Sequence, residues 1–113
     1  MNYFIFSRYK NARISPSKLR LILKIIDYSS IFNTINILKF SNKKGSFLIK
    51  KTIESAISNA EHNYNLNIDY LKIHRILIDK GPILKRIMFR ARGRFDNIFK
   101  KTSIITVILS NKK

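Results

Sequence analysis

The first half of the chain places apolar residues at helical spacing. Ser15 followed by Pro16 marks a helix start, with Ser15 at the N-cap and Pro16 at the first helical position, where its missing N–H costs nothing. A helix is predicted from there to about Ile26, with Leu19, Ile22, Leu23 and Ile26 on one face and Lys18 and Lys24 away from it. A shorter helix is predicted over residues 31–39, with Ser30 as its cap and Ile31, Ile35 and Leu38 facing inward. The longest pattern is the third. Ile49, Ile53, Ala56, Ile57 and Ala60 hold helical spacing up to about Asn63 and leave Lys50, Lys51 and Glu54 outside. Glu54 and Glu61 read as exposed helix residues, placed to pair with Lys50 or Lys51.

The second half changes period. Residues 71–79 are rich in β-branched side chains and bounded by polar turns, and residues 104–109 form a continuous apolar run, so both read as core strands. The alternation of the first strand slips near His74 and Arg75, which points to a bulge. Between the strands, residues 80–101 open on a Gly81-Pro82 break and carry eight cations against Asp96 as the only acid. Folded as a hairpin turning near Gly93, this stretch has arms of roughly 10 residues that reach on the order of 30 Å. An isolated two-stranded ribbon is marginal in water, yet this one carries Ile83, Leu84, Ile87, Met88, Phe89, Phe95, Ile98 and Phe99 among its cations. The arm therefore needs an external surface. RNA offers phosphates to the Arg residues and exposed base faces to the Phe residues.

Charge strengthens that picture. In 113 residues, enough for one domain with one modest core, 23 Lys and Arg stand against 6 Asp and Glu, a formal net charge of +17. Such self-repulsion calls for an anionic partner: nucleic acid, an anionic membrane or an acidic protein. Ile (21), Lys (15) and Asn (11) are abundant, as in genomes rich in A and T, so Arg is the cleaner signal. Four of the eight Arg residues fall between Arg86 and Arg94, which mutational drift towards Lys does not explain.

Other chemistries find little support. With no Cys there is neither a disulfide framework nor a thiolate zinc site, and a reducing compartment fits. His62 and His74 lack the companions that a metal site needs. The six acids are scattered, so there is no constellation for metal-assisted or general acid–base catalysis, and an RNA-processing enzyme is disfavoured. No cofactor or small-molecule substrate is expected. The apolar segment Tyr3 to Phe6 ends at Ser7 and Arg8, well short of a signal h-region or a membrane span. A peripheral membrane binder would carry its basic residues on one face of an amphipathic helix, whereas the densest basic segment here is strand-like and interrupted by Gly93 and Pro82.

The stretch KKGSFLIKKTIESAISNAEHN, beginning at Lys43, the Asp79-Lys80-Gly81-Pro82 break and the run LKRIMFRARGR from Leu84 to Arg94 closely resemble bacterial-type large-subunit ribosomal protein number twenty-two. The R-x-S-P-x-K-x-R pattern at Arg13, Ser15, Pro16, Lys18 and Arg20 matches as well, as does the ending Lys101-Thr102-Ser103 with Ile105-Thr106-Val107. The resemblance covers about residues 10–110. It implies an α+β fold, with three helices packed on a small three-stranded antiparallel sheet and a long protruding β-hairpin at about residues 80–101 of a single domain.

It also implies a structural, non-enzymatic role on the ribosome, in the cytoplasm of a bacterium or in an organelle with its own genome. The partners it implies are large-subunit rRNA, bound early in assembly, neighbouring large-subunit proteins and, in passing, the nascent chain. The alternative is a basic RNA-binding protein outside the ribosome. Only about nine residues precede the matched region, so no transit peptide is expected. The rRNA-binding candidates are Arg13, Lys18, Arg20, Lys43, Lys44, Lys85, Arg86, Arg90, Arg92, Arg94, Lys100 and Lys101. On pattern alone, Arg13, Lys18 and Arg20 read equally well as a solvated face, and Lys43 and Lys44 as a charged turn. The resemblance further implies that Leu84, Lys85, Arg86, Ile87, Met88, Phe89, Arg90, Ala91, Arg92, Gly93 and Arg94 line the polypeptide exit tunnel.

Some residues depart from the family pattern. Asp27-Tyr28 stands where Arg-Gly is usual, Lys80 for Glu, Phe89 for Pro, and Ile104 for His. The first bears on the turn after the first helix, and Phe89 on the shape of the hairpin near its tip.

Overall fold

A computed structural model describes residues 3–26, 28, 30–89 and 95–111, with backbone alone for 84–89 and 95–99. Its elements run β1 (Phe4–Ala12), α1 (Pro16–Leu23), α2 (Ile31–Lys39), α3 (Lys44–Tyr64), a 3₁₀ turn (Ile68–Tyr70), β2 (Leu71–Lys80), β3 (Leu84–Phe89), β4 (Phe95–Lys100) and β5 (Ser103–Asn111). Three helices and a three-stranded antiparallel sheet make an α+β fold, as expected.

The helices start and stop for local reasons. Pro16 opens α1, but the Ser15 side chain accepts no capping bond. After Leu23 the chain tightens: the N–H groups of Lys24, Ile25 and Ile26 bond three residues back, to Leu21, Ile22 and Leu23. The regular helix is thus shorter than predicted, while Ile26 still reaches the core. At α2 the predicted cap is present, Ser30 Oγ accepting from the Asn33 N–H at 3.3 Å. Helix α3 begins at Lys44, ahead of the first apolar position of its sequence pattern, because Gly45 and Ser46 are already buried against the rest of the fold. It ends at Asn65, whose left-handed backbone (φ 54°) lets the Leu66 N–H bond back to Ala60 O at 3.1 Å.

The sheet has the order β1-β5-β2, so the last strand lies in the middle. Strand β1 pairs with β5 from Phe4↔Ser110 to Ala12↔Ser103, with an irregularity after Tyr9 where Asn11 takes a positive φ of 63°. Strand β2 pairs with β5 from Leu71↔Asn111 to Lys80↔Ser103, and the register slips between Ile73 and Arg75, where the bulge was expected. The bulge keeps Ile73 and Ile76 both on the core side and leaves His74 and Arg75 both exposed. The helices cover one face of the sheet. There Ile5, Ile73, Ile76, Ile78, Ile105, Val107 and Leu109 meet Leu19, Ile22, Leu38, Ile49, Ile53 and Ala56. Full burial of each large side chain contributes about 1.5–3 kcal/mol.

Strands β3 and β4 form a separate two-stranded antiparallel sheet, from Leu84↔Lys100 to Phe89↔Phe95. The expected turn near Gly93 lies outside the described residues. The root of this ribbon is clamped. Gly81 N–H donates to Thr102 O at 2.9 Å, and the Thr102 hydroxyl donates to Pro82 O. A Cβ on Gly81 would sit 2.5 Å from Thr102 Oγ1, so the close approach requires glycine. The Cα radius of gyration is 17.3 Å with a longest dimension of 65 Å, against about 13 Å for a compact chain of this length.

Candidate nucleic-acid interface

Four elements converge at one end of α1. The chain leaving β1 brings Arg13 and Ile14, and Ser103 Oγ holds this loop to β5 by donating to Ile14 O. Helix α1 turns Leu19 and Ile22 into the core, which leaves Lys18 exposed on its outer side. The start of α3 adds Lys43 and Lys44, and Gly45 makes that approach possible: a Cβ there would lie 2.7 Å from both Ile22 Cδ1 and Leu19 Cδ2. The end of β4 supplies Lys100, followed by Lys101.

Together these residues line an open cleft of about 760 Å³ whose walls carry Arg13, Lys18, Lys43, Lys44, Lys100 and Lys101 and, among the described residues, no acid. Among the described residues none of these six cations forms a salt bridge; the ion pair seen, Lys50 to Glu54 at 3.6 Å, is elsewhere on α3. The helix end adds to the field. Helix α3 has 21 residues, no acid in its first turn and no side-chain cap. A helix N-terminus is itself partly positive, so Lys43 and Lys44 stand there against the dipole. Six like charges around a cleft that also receives a helix N-terminus repel one another until an anion enters. Phosphate suits this arrangement, because backbone N–H groups and ammonium groups both donate to it.

A second cleft, of about 220 Å³, adjoins the first through Ser15 and Lys101 and also carries Arg20, Lys80, Gly81 and Thr102. Arg20 is only partly free to meet a ligand, because its Nη2 donates to the carbonyl oxygen of Ile78 on β2 at 2.8 Å.

Of the rRNA-binding residues proposed from the sequence, the structure thus gathers Arg13, Lys18, Lys43, Lys44, Lys100 and Lys101 in one cleft and sets Arg20 beside it. Lys85 and Arg86 lie on β3, described by backbone alone, as are Leu84, Ile87, Met88 and Phe89. Arg90, Ala91, Arg92, Gly93 and Arg94 lie outside the described residues. Sequence reasoning overlooked the outward residues of β1. Phe4, Phe6 and Arg8 alternate with buried Ile5, a period-2 signal that a reading of this segment as merely apolar passes over. Among the described residues no group of three or more His, Asp or Glu side chains lies together as a metal site would need, and no helix is long and apolar enough to cross a membrane.

The chain is 51% identical over 105 residues to a protein of Blochmanniella pennsylvanica (strain BPEN) named large ribosomal subunit protein uL22, a match that spans 93% of this chain and 96% of that protein. The family model described as ribosomal protein L22p/L17e matches residues 7–110, a span that takes in both clefts and the ribbon between β2 and β5, and the chain therefore belongs to the ribosomal protein L22p/L17e family.

Proposed function

We propose that this chain is a structural constituent of the large ribosomal subunit that binds large-subunit rRNA through the cationic cleft between α1, the start of α3 and the root of the β3–β4 ribbon. The observation that carries the reading is the gathering of six cations, from four separate stretches of chain, around a cleft where the described residues supply neither an ion-pair partner nor an acid. Phosphates of folded RNA offset their mutual repulsion, and the rigid helix and sheet elements set the register of the contacts. The name of the Blochmanniella relative supports the assignment to the large subunit.

The ribbon extends the same logic. Its residues 84–94 line the nascent-chain exit tunnel, and the protein joins rRNA segments during subunit assembly alongside neighbouring large-subunit proteins. Its role is to position RNA rather than to catalyse a reaction. Deletion of Leu84 to Arg86 is expected to leave the three-stranded sheet and helices folded and to change the tunnel wall in a density map of the mutant ribosome; an unchanged wall overturns the tunnel assignment.

Binding of the purified chain to a large-subunit rRNA fragment, measured over a salt series, tests the cleft. If each of the six cations meets a phosphate, log K falls against log salt with a slope of about −5. Affinity that does not respond to salt overturns the reading.

A further inference from the structure

The helices cover one face of the three-stranded sheet, and among the described residues no helix packs on the other. On that other face the register lines residues up across the strands: Phe6 opposite Ile108 opposite Arg75, and Arg8 opposite Thr106 opposite Leu77. The rings of Phe4 and Phe6 are 47% and 59% exposed. Two residues apart on an edge strand, they stand roughly 6.7 Å from one another. The Phe4 ring meets His74 edge-on at 5.0 Å, so the bulge in β2 brings an imidazole across the sheet to extend the aromatic surface. Beneath them Ser110 is 5% exposed, and its hydroxyl has no hydrogen-bond partner among the described residues. Cations surround the rings: Arg8, held by a bond from its Nε to Thr106 Oγ1 at 3.3 Å, with exposed Lys72 and Arg75 on the opposite edge.

We propose that this open sheet face is a second RNA surface, one that takes unpaired nucleotides by stacking their bases on Phe4 and Phe6 while Arg8, Arg75 and Lys72 hold the phosphates. The choice of ligand rests on the RNA-binding reading above; the site does not overlap the cleft. Exposed rings at alternate positions of a strand, flanked by Arg and Lys, are what a single strand needs, because every base offers a π-face and the backbone needs only charge. A duplex hides its base faces and cannot use the rings. A protein partner fits less well, since the centres of protein interfaces are depleted of charge. A second copy of a chain with net charge +17 would be repelled.

Two RNA probes separate the surfaces: a fluorescein-labelled U dodecamer, and the same strand annealed to an A dodecamer, each titrated with the full chain. Phe4→Ala with Phe6→Ala is expected to weaken binding of the single strand by about 10-fold or more and that of the duplex by less than twofold. Phe6→Leu keeps an apolar side chain without a ring and is expected to weaken single-strand binding as well, which an apolar protein contact would not require. Proton NMR on the folded chain should show Phe ring resonances moving upfield with the single strand. Single-strand affinity that stays within twofold in the Phe variants, or ring resonances that do not move, overturns the proposal. Binding of the duplex but not of the single strand overturns it and leaves the cleft intact. Failure to bind either probe, or self-association abolished by Phe6→Leu, sinks the RNA assignment of this face too, the former taking the proposed function with it.

Discussion

Arg20 Nη2 donates to the carbonyl oxygen of Ile78 at 2.8 Å, tying the outer side of α1 to β2 beside the root of the ribbon. A charge-assisted bond is worth about 1.5–3 kcal/mol when shielded, and its solvent exposure here reduces that to about 1 kcal/mol. Arg20→Ala is therefore expected to lower Tm by about 4 °C. RNA affinity, measured well below Tm, should fall less than it does for substitutions at Lys43 and Lys44, because Arg20 has one donor already engaged.

The two serines that precede helices should behave differently. Ser30 Oγ accepts from the Asn33 N–H, whereas Ser15 Oγ faces Ser17 Oγ at 3.4 Å and accepts no backbone cap. Ser30→Ala is expected to cost about 1 kcal/mol in urea unfolding, and Ser15→Ala under about 0.5 kcal/mol. Equal losses would mean that Ser15 caps α1 after all.

Gly45 sets how closely α3 approaches α1. An alanine there places Cβ against the ends of two buried side chains, Ile22 and Leu19. Overpacking of about 1–3 kcal/mol, partly offset by a gain of up to about 1 kcal/mol in helix propensity, leaves Gly45→Ala about 1 kcal/mol less stable. Adding Ile22→Val, which removes the crowding Cδ1, should recover part of that loss, and a double-mutant cycle with near-zero coupling would contradict the contact.

Lys43→Ala with Lys44→Ala removes two charges from the start of α3. The salt slope for rRNA binding is expected to become shallower by about 2. The isolated protein should hold or gain stability by a few tenths of a kcal/mol, since both lysines oppose the helix dipole. A salt slope equal to that of the parent chain would remove these residues from the interface.

Much of the fold was legible because local rules and global packing agree. The Ser30 cap, the inward faces of all three helices and the slip at His74 and Arg75 are visible as period and punctuation. The misses have physical causes. The end of α1 moved to Leu23 because 3₁₀-type bonds carry Ile26 into the core without a regular turn. The start of α3 lay hidden because Gly45 and Ser46 are buried for their small size, not their hydrophobicity. Strand β1 escaped because its outward positions are Phe4 and Phe6, so the polar half of the alternation is missing where it begins. The cationic residues could be named one at a time, but their meeting in one cleft depends on β5 and α1 drawing distant segments together, which no local pattern records.

The central place of β5 bears on how the molecule is born. Among the described residues, strand β1 finds its strand partner only in Ser103–Asn111, and β2 does too. During synthesis β1 is made before every helix and well before β5, so it must wait unzipped until β5 has followed. Closure of the sheet is then a late event of high contact order, and through that interval the helices alone must shelter the greasy side of β1 from premature association.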